Sequence, residues 1–226
     1  MTNSRNFSTV GGIESHYMKV HLVSCGLWYA KATLVDDTEL PAGPTRVCLG
    51  DLDFSGTLRY QSSFGGKTTV DVIAGANGWN KRVPRKSYHS DGMVSAITVV
   101  RDLVREVKEQ LGRFEPEEAR LKKHFIRIDT VAARVLKHAI GDRDWWLDNN
   151  GVTHVGRVAQ SEVVGDYEVL NWDGLLNIAT IATDDLQCIR LGSVIRQRVT
   201  APFCVRAIDY VVQDSTVRLY VSGDRI

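Results

Sequence analysis

The hydrophobic pattern of this chain changes period once, and that change limits what it can fold into. Up to residue 74, apolar residues alternate with polar ones, the period-two signature of half-buried strands. Within residues 75–111, GANGWNKRVPRKSYHSDGMVSAITVVRDLVREVKEQL, the spacing lengthens to a helical one. Val94, Ile97, Val100, Val104, Val107 and Leu111 form one stripe, opposite Arg101, Asp102, Arg105, Glu106, Lys108 and Glu109. This predicts an amphipathic helix with one face on a core, capped by Ser95 or Asp91 and stopped near Gly112. A second, shorter helix is punctuated by Asp129 as N-cap and Gly141 as stop. Its inner face is Val131, Ala132, Val135, Leu136 and Ala139. Strands then return. The order β-rich, helical, β-rich lacks the alternating units of a doubly wound parallel sheet, so the expected class is α+β, mainly antiparallel β.

Before the switch, strands are expected at 18–24, 27–35, 46–49, 54–60 and 68–74, with tight turns at Cys25-Gly26 and Gly65-Gly66. After it, runs at 144–149 and 152–157 flank Asn150-Gly151, a strong hairpin signal. A two-residue turn there sets Trp146 opposite Val155. Further strands are expected at 167–171, 176–182, 189–195, 205–212 and 217–221, the last two joined at Asp214-Ser215. The polar start reads as a loose arm over residues 1–16. The expected division is therefore that arm, a β-rich module with a basic loop at 17–93, a helical segment at 94–141 and a second β-rich module at 142–226. No fixed-period repeat appears in the sequence.

A chain of 226 residues is long enough for a substantial core, and its 28 basic and 27 acidic residues leave a formal charge of +1. Such a balance creates no global field for nucleic acid or an anionic membrane. No apolar run approaches the ~18 residues of a membrane span, and the first residues lack a signal-peptide core. Cys25, Cys48, Cys188 and Cys204 are scattered without a CxxC pair, and read as reduced, mostly buried thiols of a protein made in a cytoplasm.

The chemical motifs are weak. Gly66-Lys67-Thr68 resembles the end of a phosphate-binding GxxxxGK(S/T) loop, but the first glycine is replaced by Gln61, and a strand follows where a helix N-terminus is required. A glycine-containing hairpin turn is the better reading. His16, His21, His89, His124, His138 and His154 show no metal-ligand spacing. The pairs Asp51/Asp53, Asp142/Asp144 and Asp184-Asp185 lie between elements, where aspartate serves turns. No GxSxG elbow or catalytic cysteine signature is present. The expectation is a protein that is not an enzyme, with no catalytic, cofactor or metal site. One stretch stands out, residues 79–89, where Lys81, Arg82, Arg85 and Lys86 interleave with Trp79 and Tyr88. It suits nucleic-acid contact through phosphates and stacking, a protein interface anchored by Trp, Tyr and Arg, or a solvated loop whose aromatics fold back on the core. With net charge near zero, nucleic-acid binding is the alternative rather than the leading reading.

Taken together, GWNKRVPRKSYHSDGMVSAITVVRDLVREV resembles a segment of the baseplate hub proteins of tailed bacteriophages, the Mu-like class included. In those proteins a strand ends at a GW pair, followed by a basic "VPxKxYHxD-G" loop and a "V-x-x-x-TV-x-D" helix. TVAARVLKHAI followed by WWLDNNGVTHVG is similar to the family's helix and "W-x-V-D-x-D-G-V-T-x-V-G" hairpin. YEVLNWDGLLNIATIATDD and LGSVI make a weaker third match, with Leu191-Gly192 where proline-glycine is common. The resemblance spans residues of roughly 70–195. It implies two related tube-type β-barrel or sandwich modules with a two-helix insert, and no active site. It further implies a homo-oligomer, a trimer, presenting pseudo-sixfold symmetry to a tail tube and threefold symmetry to a central spike or fibre. The implied setting is the tail tip of a virion, with distal tail and tape-measure proteins as further partners and DNA only in transit. Trp79, Arg82, Arg85, Tyr88 and Trp146 are the expected interface residues.

Overall fold

The computed structural model describes residues 7–35, 37–213 and 216–226. A first group of strands is β1 (Ser8–Val10), β2 (Ile13–Val23), β3 (Tyr29–Leu34), β4 (Gly43–Leu49), β5 (Leu52–Phe64) and β6 (Lys67–Ala74). They pair in the order β1-β4-β5-β6-β3-β2, and β1 also pairs with β2, which closes a six-stranded barrel. The alternation in the sequence points the apolar set inward: Met18, Val20, Ala30, Ala32, Leu34, Val47, Leu49, Phe54, Val70 and Val72 are buried. The β5–β6 turn is Gly65-Gly66, both at positive φ (60° and 74°), the geometry a two-residue hairpin demands and glycine supplies. Lys67 and Thr68 thus begin a strand, as expected.

The expected arm is corrected from Ser8 onward. Ser8–Val10 is the strand that closes the barrel, with Val10 fully buried. The rest of the expected arm, residues 1–6, together with Asp36 and the expected Asp214-Ser215 turn, lies outside the described residues.

Between the two groups of strands lie β7 (Arg82–Val83), β8 (Lys86–His89), α1 (Ala96–Val107), β9 (Gln110–Phe114), β10 (His124–Arg127), β11 (Thr130–Val131), α2 (Ala132–Ile140), β12 (Trp145–Leu147) and β13 (Val152–Val155). Helix α1 buries Val100, Val104 and Val107 of the expected stripe together with Ala96, Val99 and Leu103, which the stripe left out, while Ile97 is half-buried; α2 buries the expected Ala132, Val135, Leu136 and Ala139, with Ile140 added. Their ends differ from expectation. Helix α1 stops at Lys108 in the left-handed conformation, so Leu111 and Gly112 fall in β9, paired in parallel with β13. Asp129 pairs with Arg82 and does not cap α2, whose first amide, Ala132 N–H, donates to the Lys81 carbonyl.

The β12–β13 hairpin corrects the predicted register by one residue. Asp148 Oδ1 accepts from the N–H groups of Asn150 and Val152, making a three-residue loop that ends on Gly151 at positive φ. Trp145 therefore sits opposite Val155, and Trp146 opposite His154. One step of register exchanges faces, so Trp145 enters the core and Trp146 looks outward. This hairpin belongs to a small sheet with β9, not to the second module. It is tied to the barrel by Ser55 N–H to the Asn149 carbonyl (2.7 Å) and by the Trp28 indole N–H to the Asp148 carbonyl (3.0 Å).

The second group is β14 (Ser161–Glu162), β15 (Glu168–Asp173), β16 (Ile178–Ala182), β17 (Ser193–Ile195), β18 (Phe203–Gln213) and β19 (Thr216–Arg225). Its sheet order, β15-β16-β19-β18-β17, repeats β2-β3-β6-β5-β4 of the first, and the chain visits both sets in the same sequence. The β-bulges repeat as well. His16 in β2 corresponds to Leu170 in β15, and Arg59 in β5 to Arg206 in β18. With the bulges aligned, the pair Thr33 and Thr69 falls on Thr180 and Tyr220, so the register matches too. The two modules are a structural duplication, joined edge to edge where β2 pairs with β18. At that seam Asp209 takes Lys19 (3.0 Å) and His21 (2.5 Å) as partners. Burial pushes the Asp209 carboxyl up, but His21 and Lys19 outweigh it and hold it below the ordinary carboxylate value.

Candidate assembly surface

The 75–89 segment is built to hold helix against barrel. Gly78 has no room for a side chain, because the Val107 carbonyl occupies that space, and the Gly78-Trp79 pair forms a short 3-10 turn beneath α1. Trp79 is 0% exposed; its indole N–H donates to Thr153 Oγ1 (2.9 Å), and its ring lies 5.5 Å from that of Trp145. Glu109, directly after α1, accepts the N–H groups of Gly78 (2.5 Å) and Ala76 (3.1 Å). Burial pushes the Glu109 carboxyl above its ordinary value, although these amides draw it down. This contact follows the left-handed Lys108 that ends α1 and fastens the end of the helix to the 75–80 segment.

Two of the four basic groups of the loop, Arg82 and Lys86, are engaged inside the chain, and Lys81 and Arg85 are exposed. Arg82 pairs with Asp129, and Lys86 with Asp102 (2.7 Å), which also accepts the Tyr88 hydroxyl. Burial, then the Asp102 acceptor, pushes the Tyr88 hydroxyl well above its ordinary value. Asp102 is raised by burial but held down overall by Lys86 and Tyr88. Arg127, buried beneath, pairs with Glu106 (2.7 Å) and donates to the Pro84 carbonyl. Arg85 is exposed on the link between β7 and β8. Trp146 stands apart, half-buried on the hairpin, stacked on His154 (5.4 Å) with Arg113 over its ring (5.6 Å).

The five expected interface residues therefore do not form one patch. Trp79 is a core anchor and is withdrawn as an interface residue, since no surface of it is left to touch a partner or stack on a base. Tyr88 is half-buried against Asp102; Arg82, although paired with Asp129, is exposed, as is Arg85, and Trp146 is half-buried on its hairpin. Cys188 and Cys204 are buried free thiols, and Cys25 and Cys48 are also unbridged. Among the described residues no group of three or more His, Cys, Asp or Glu side chains is placed to hold a metal ion, and no helix is long and apolar enough to cross a membrane.

The two most exposed large apolar side chains among the described residues, Leu175 and Phe64, lie elsewhere, one on a hairpin tip of each module. Phe64 (92% exposed) and Tyr60 (56%) project from the β5–β6 hairpin. Leu175 (94%) and Leu176 (65%) project from the β15–β16 hairpin, whose turn is fixed by Asp173 Oδ1 accepting both leucine amides (2.9 and 3.1 Å). The sequence shows these residues beside turn glycines, Phe64-Gly65-Gly66 and Gly174-Leu175-Leu176, where exposure is the expectation and burial the exception.

No family model matches the chain, and no curated protein does. Solved structures do. The prophage MuSo2 43 kDa tail protein from Shewanella oneidensis aligns with a TM-score of 0.68 and 8% identity, over 96% of this chain and 97% of the other. A tail protein from Neisseria meningitidis MC58 gives 0.68 and 11%, over 95% and 94%. This chain has the fold of phage tail proteins. The E. coli c3393 protein, a type VI secretion component described as similar to the T4 tail proteins gp27 and gp5, gives 0.67 and 10%, over 97% and 79%. At these identities it is the fold that is shared, and the fold is the part of the sequence resemblance these structures support.

Proposed function

We propose that the chain is a structural virion protein of a phage-type tail tip, a baseplate hub that extends the tail tube and joins it to the central spike or fibre. The observation that carries this reading is the register-matched duplication within a fold that aligns with tail proteins over 96% of the chain. Two equivalent β modules per chain let three chains present six to a hexameric tube while keeping threefold symmetry for a spike. Closed-ring geometry is then the function, with DNA passing through the lumen at ejection, and no catalytic step belongs to this chain. The nucleic-acid alternative has less support, because Trp79 is buried and Arg82 and Lys86 are already paired with carboxylates.

Two measurements test the proposal. Native mass spectrometry of the assembled protein is expected to give a trimer, and immuno-electron microscopy to place it at the tail end that carries the spike. A monomer in finished particles, or label along the tail shaft, overturns it.

A further inference from the structure

The histidines show no metal-ligand spacing in the sequence, but the fold brings two of them together. Strands β8 and β10 are antiparallel, and their register sets His89 against His124, 35 positions apart in the chain. Side chains alternate across this ladder. Tyr88, Phe125 and Arg127 turn inward, and both histidines stand exposed on the outer face. Their rings are stacked, with centroids 4.4 Å and planes 26° apart, and the two Nδ1 atoms approach to 3.1 Å. Because the nitrogens are closer than the centroids, both Nδ1 edges lie on one side of the pair. A hydrogen bond between them needs one Nδ1 to carry a proton and the other to be bare, so one imidazole nitrogen already offers a free electron pair. Asp91 Oδ1 lies 3.7 Å from His89 Nε2 and favours the proton on that nitrogen, which leaves His89 Nδ1 as the bare one. His21 and His154 lack this arrangement, each being held by a carboxylate, Asp209 and Asp148 respectively.

We propose that His89 and His124 chelate one borderline divalent ion, of the class of Zn²⁺, Ni²⁺ or Cu²⁺, through their Nδ1 atoms. Metal–nitrogen bonds of about 2.0–2.1 Å hold two ligands roughly 2.9 Å apart at a right angle and roughly 3.4 Å apart at a tetrahedral one. The observed 3.1 Å falls inside that range before any side chain moves. Rotation about χ2 of histidine is soft and both rings are exposed, so a turn about each Cβ–Cγ bond aims the two lone pairs at one point. The ion takes the place of the shared proton, which leaves to solvent. Imidazole nitrogens suit this class of ion, whereas Mg²⁺ and Ca²⁺ require oxygen ligands. Water fills the remaining positions, so the site is a surface chelate and not a closed structural centre. Exposed Lys122 and Lys123, next to His124 in the chain, work against a cation and limit the affinity. The bound ion acts as a clip. It closes the segment between β8 and β10, which carries α1 and β9, and stabilises the folded insert by mass action.

Isothermal titration calorimetry on full-length protein without an affinity tag, with Cys25→Ser to remove the exposed thiol, tests the chelate. Ni²⁺ and Zn²⁺ are each expected to bind at one ion per chain, and Mg²⁺ to compete with neither. His89→Ala and His124→Ala are each expected to weaken Ni²⁺ binding at least about tenfold, while His154→Ala leaves it unchanged. Both proposed ligands are exposed, so neither alanine is expected to disturb the fold. Imidazole nitrogen NMR of the Zn²⁺ complex of the otherwise native protein reads the atoms directly. The Nδ1 signals of His89 and His124 are expected to shift together, with a proton kept on each Nε2. At a hundredfold excess over Kd, Ni²⁺ is expected to raise the melting midpoint by about 3 °C or more, and to have no such effect on the double alanine variant. Saturation at half an ion per chain, binding that survives either alanine, coordination through Nε2, or no saturable binding of Ni²⁺ or Zn²⁺ overturns the chelate. Each of these outcomes is independent of oligomeric state and of position in a tail, so the hub reading stands or falls separately.

Discussion

The two modules share strand order, bulges and register, yet one is closed and the other open. In the first, β1 bridges β2 and β4 and buries Val10. In the second, β14 adds in parallel to β17 and does not reach β15. The difference lies in one three-residue strand ahead of the duplicated unit. Closure satisfies every edge of a sheet, whereas an open edge keeps a row of unpaired amides and carbonyls available. The same strand plan thus yields a self-contained barrel and a sheet with a free end, and the insert is fastened to the closed one.

Four substitutions probe that asymmetry, the largest effect first. Val10→Asp places an unpaired carboxylate inside the closed barrel, a cost on the order of 5 kcal/mol. Hydrogen exchange is expected to lose protection in β2 and β4 while β16, β18 and β19 keep theirs; equal loss in both modules would show that they unfold as one. Trp79→Ala removes the insert's largest anchor and is expected to cost about 3–5 kcal/mol in denaturant unfolding. Any assembly defect it produces should disappear at temperatures where the variant is fully folded. Glu109→Ala leaves the Ala76 and Gly78 amides without their acceptor, for about 1–3 kcal/mol, read as a lower melting temperature.

The smallest effect is at the seam. Because the folded Asp209 carboxyl titrates below its ordinary value of 3.8, its contribution is complete above that value and is lost as pH falls through the lower, folded one. Asp209→Asn is expected to cost about 1 kcal/mol at pH 7 and to flatten the acid limb of the stability profile. An unchanged acid limb would mean that the seam is held by its backbone ladder and apolar side alone.

Much of the fold was legible because it rests on local periodicity. Alternation placed the barrel strands, the 3.6-residue stripe placed both helices, and Gly65-Gly66 marked its hairpin correctly. Two of the helix and hairpin errors fell where a distant group outbid a local signal, and the third inside the turn itself. Asp129 looks like an N-cap but serves Arg82; Gly112 looks like a helix stop but α1 ends earlier and Glu109 reaches Ala76 and Gly78; and Asp148 added a residue to the turn that Asn150-Gly151 advertised. The candidate site was the least legible part. Trp79 and Tyr88 have the composition of an interface, and composition does not say which way a side chain faces, whereas Phe64 and Leu175 pass for ordinary apolar residues until the hairpins show them uncovered.

The sequence by itself determined the class of the protein: the periods of its apolar residues are intrinsic to strands and helices, and they fix α+β, two helices, and an order of β-rich, helical, β-rich segments. That the two β portions are copies of one plan was implied by the family resemblance, but only the tertiary structure displays it, since pairing partners and bulges are relations between distant residues and leave no fixed period in the chain. Tertiary structure also decided which copy closes. Residues 8–10, within a stretch polar enough to read as an arm, became the strand that seals the first barrel, because Val10 finds a core to enter and the strand has two open edges to bridge.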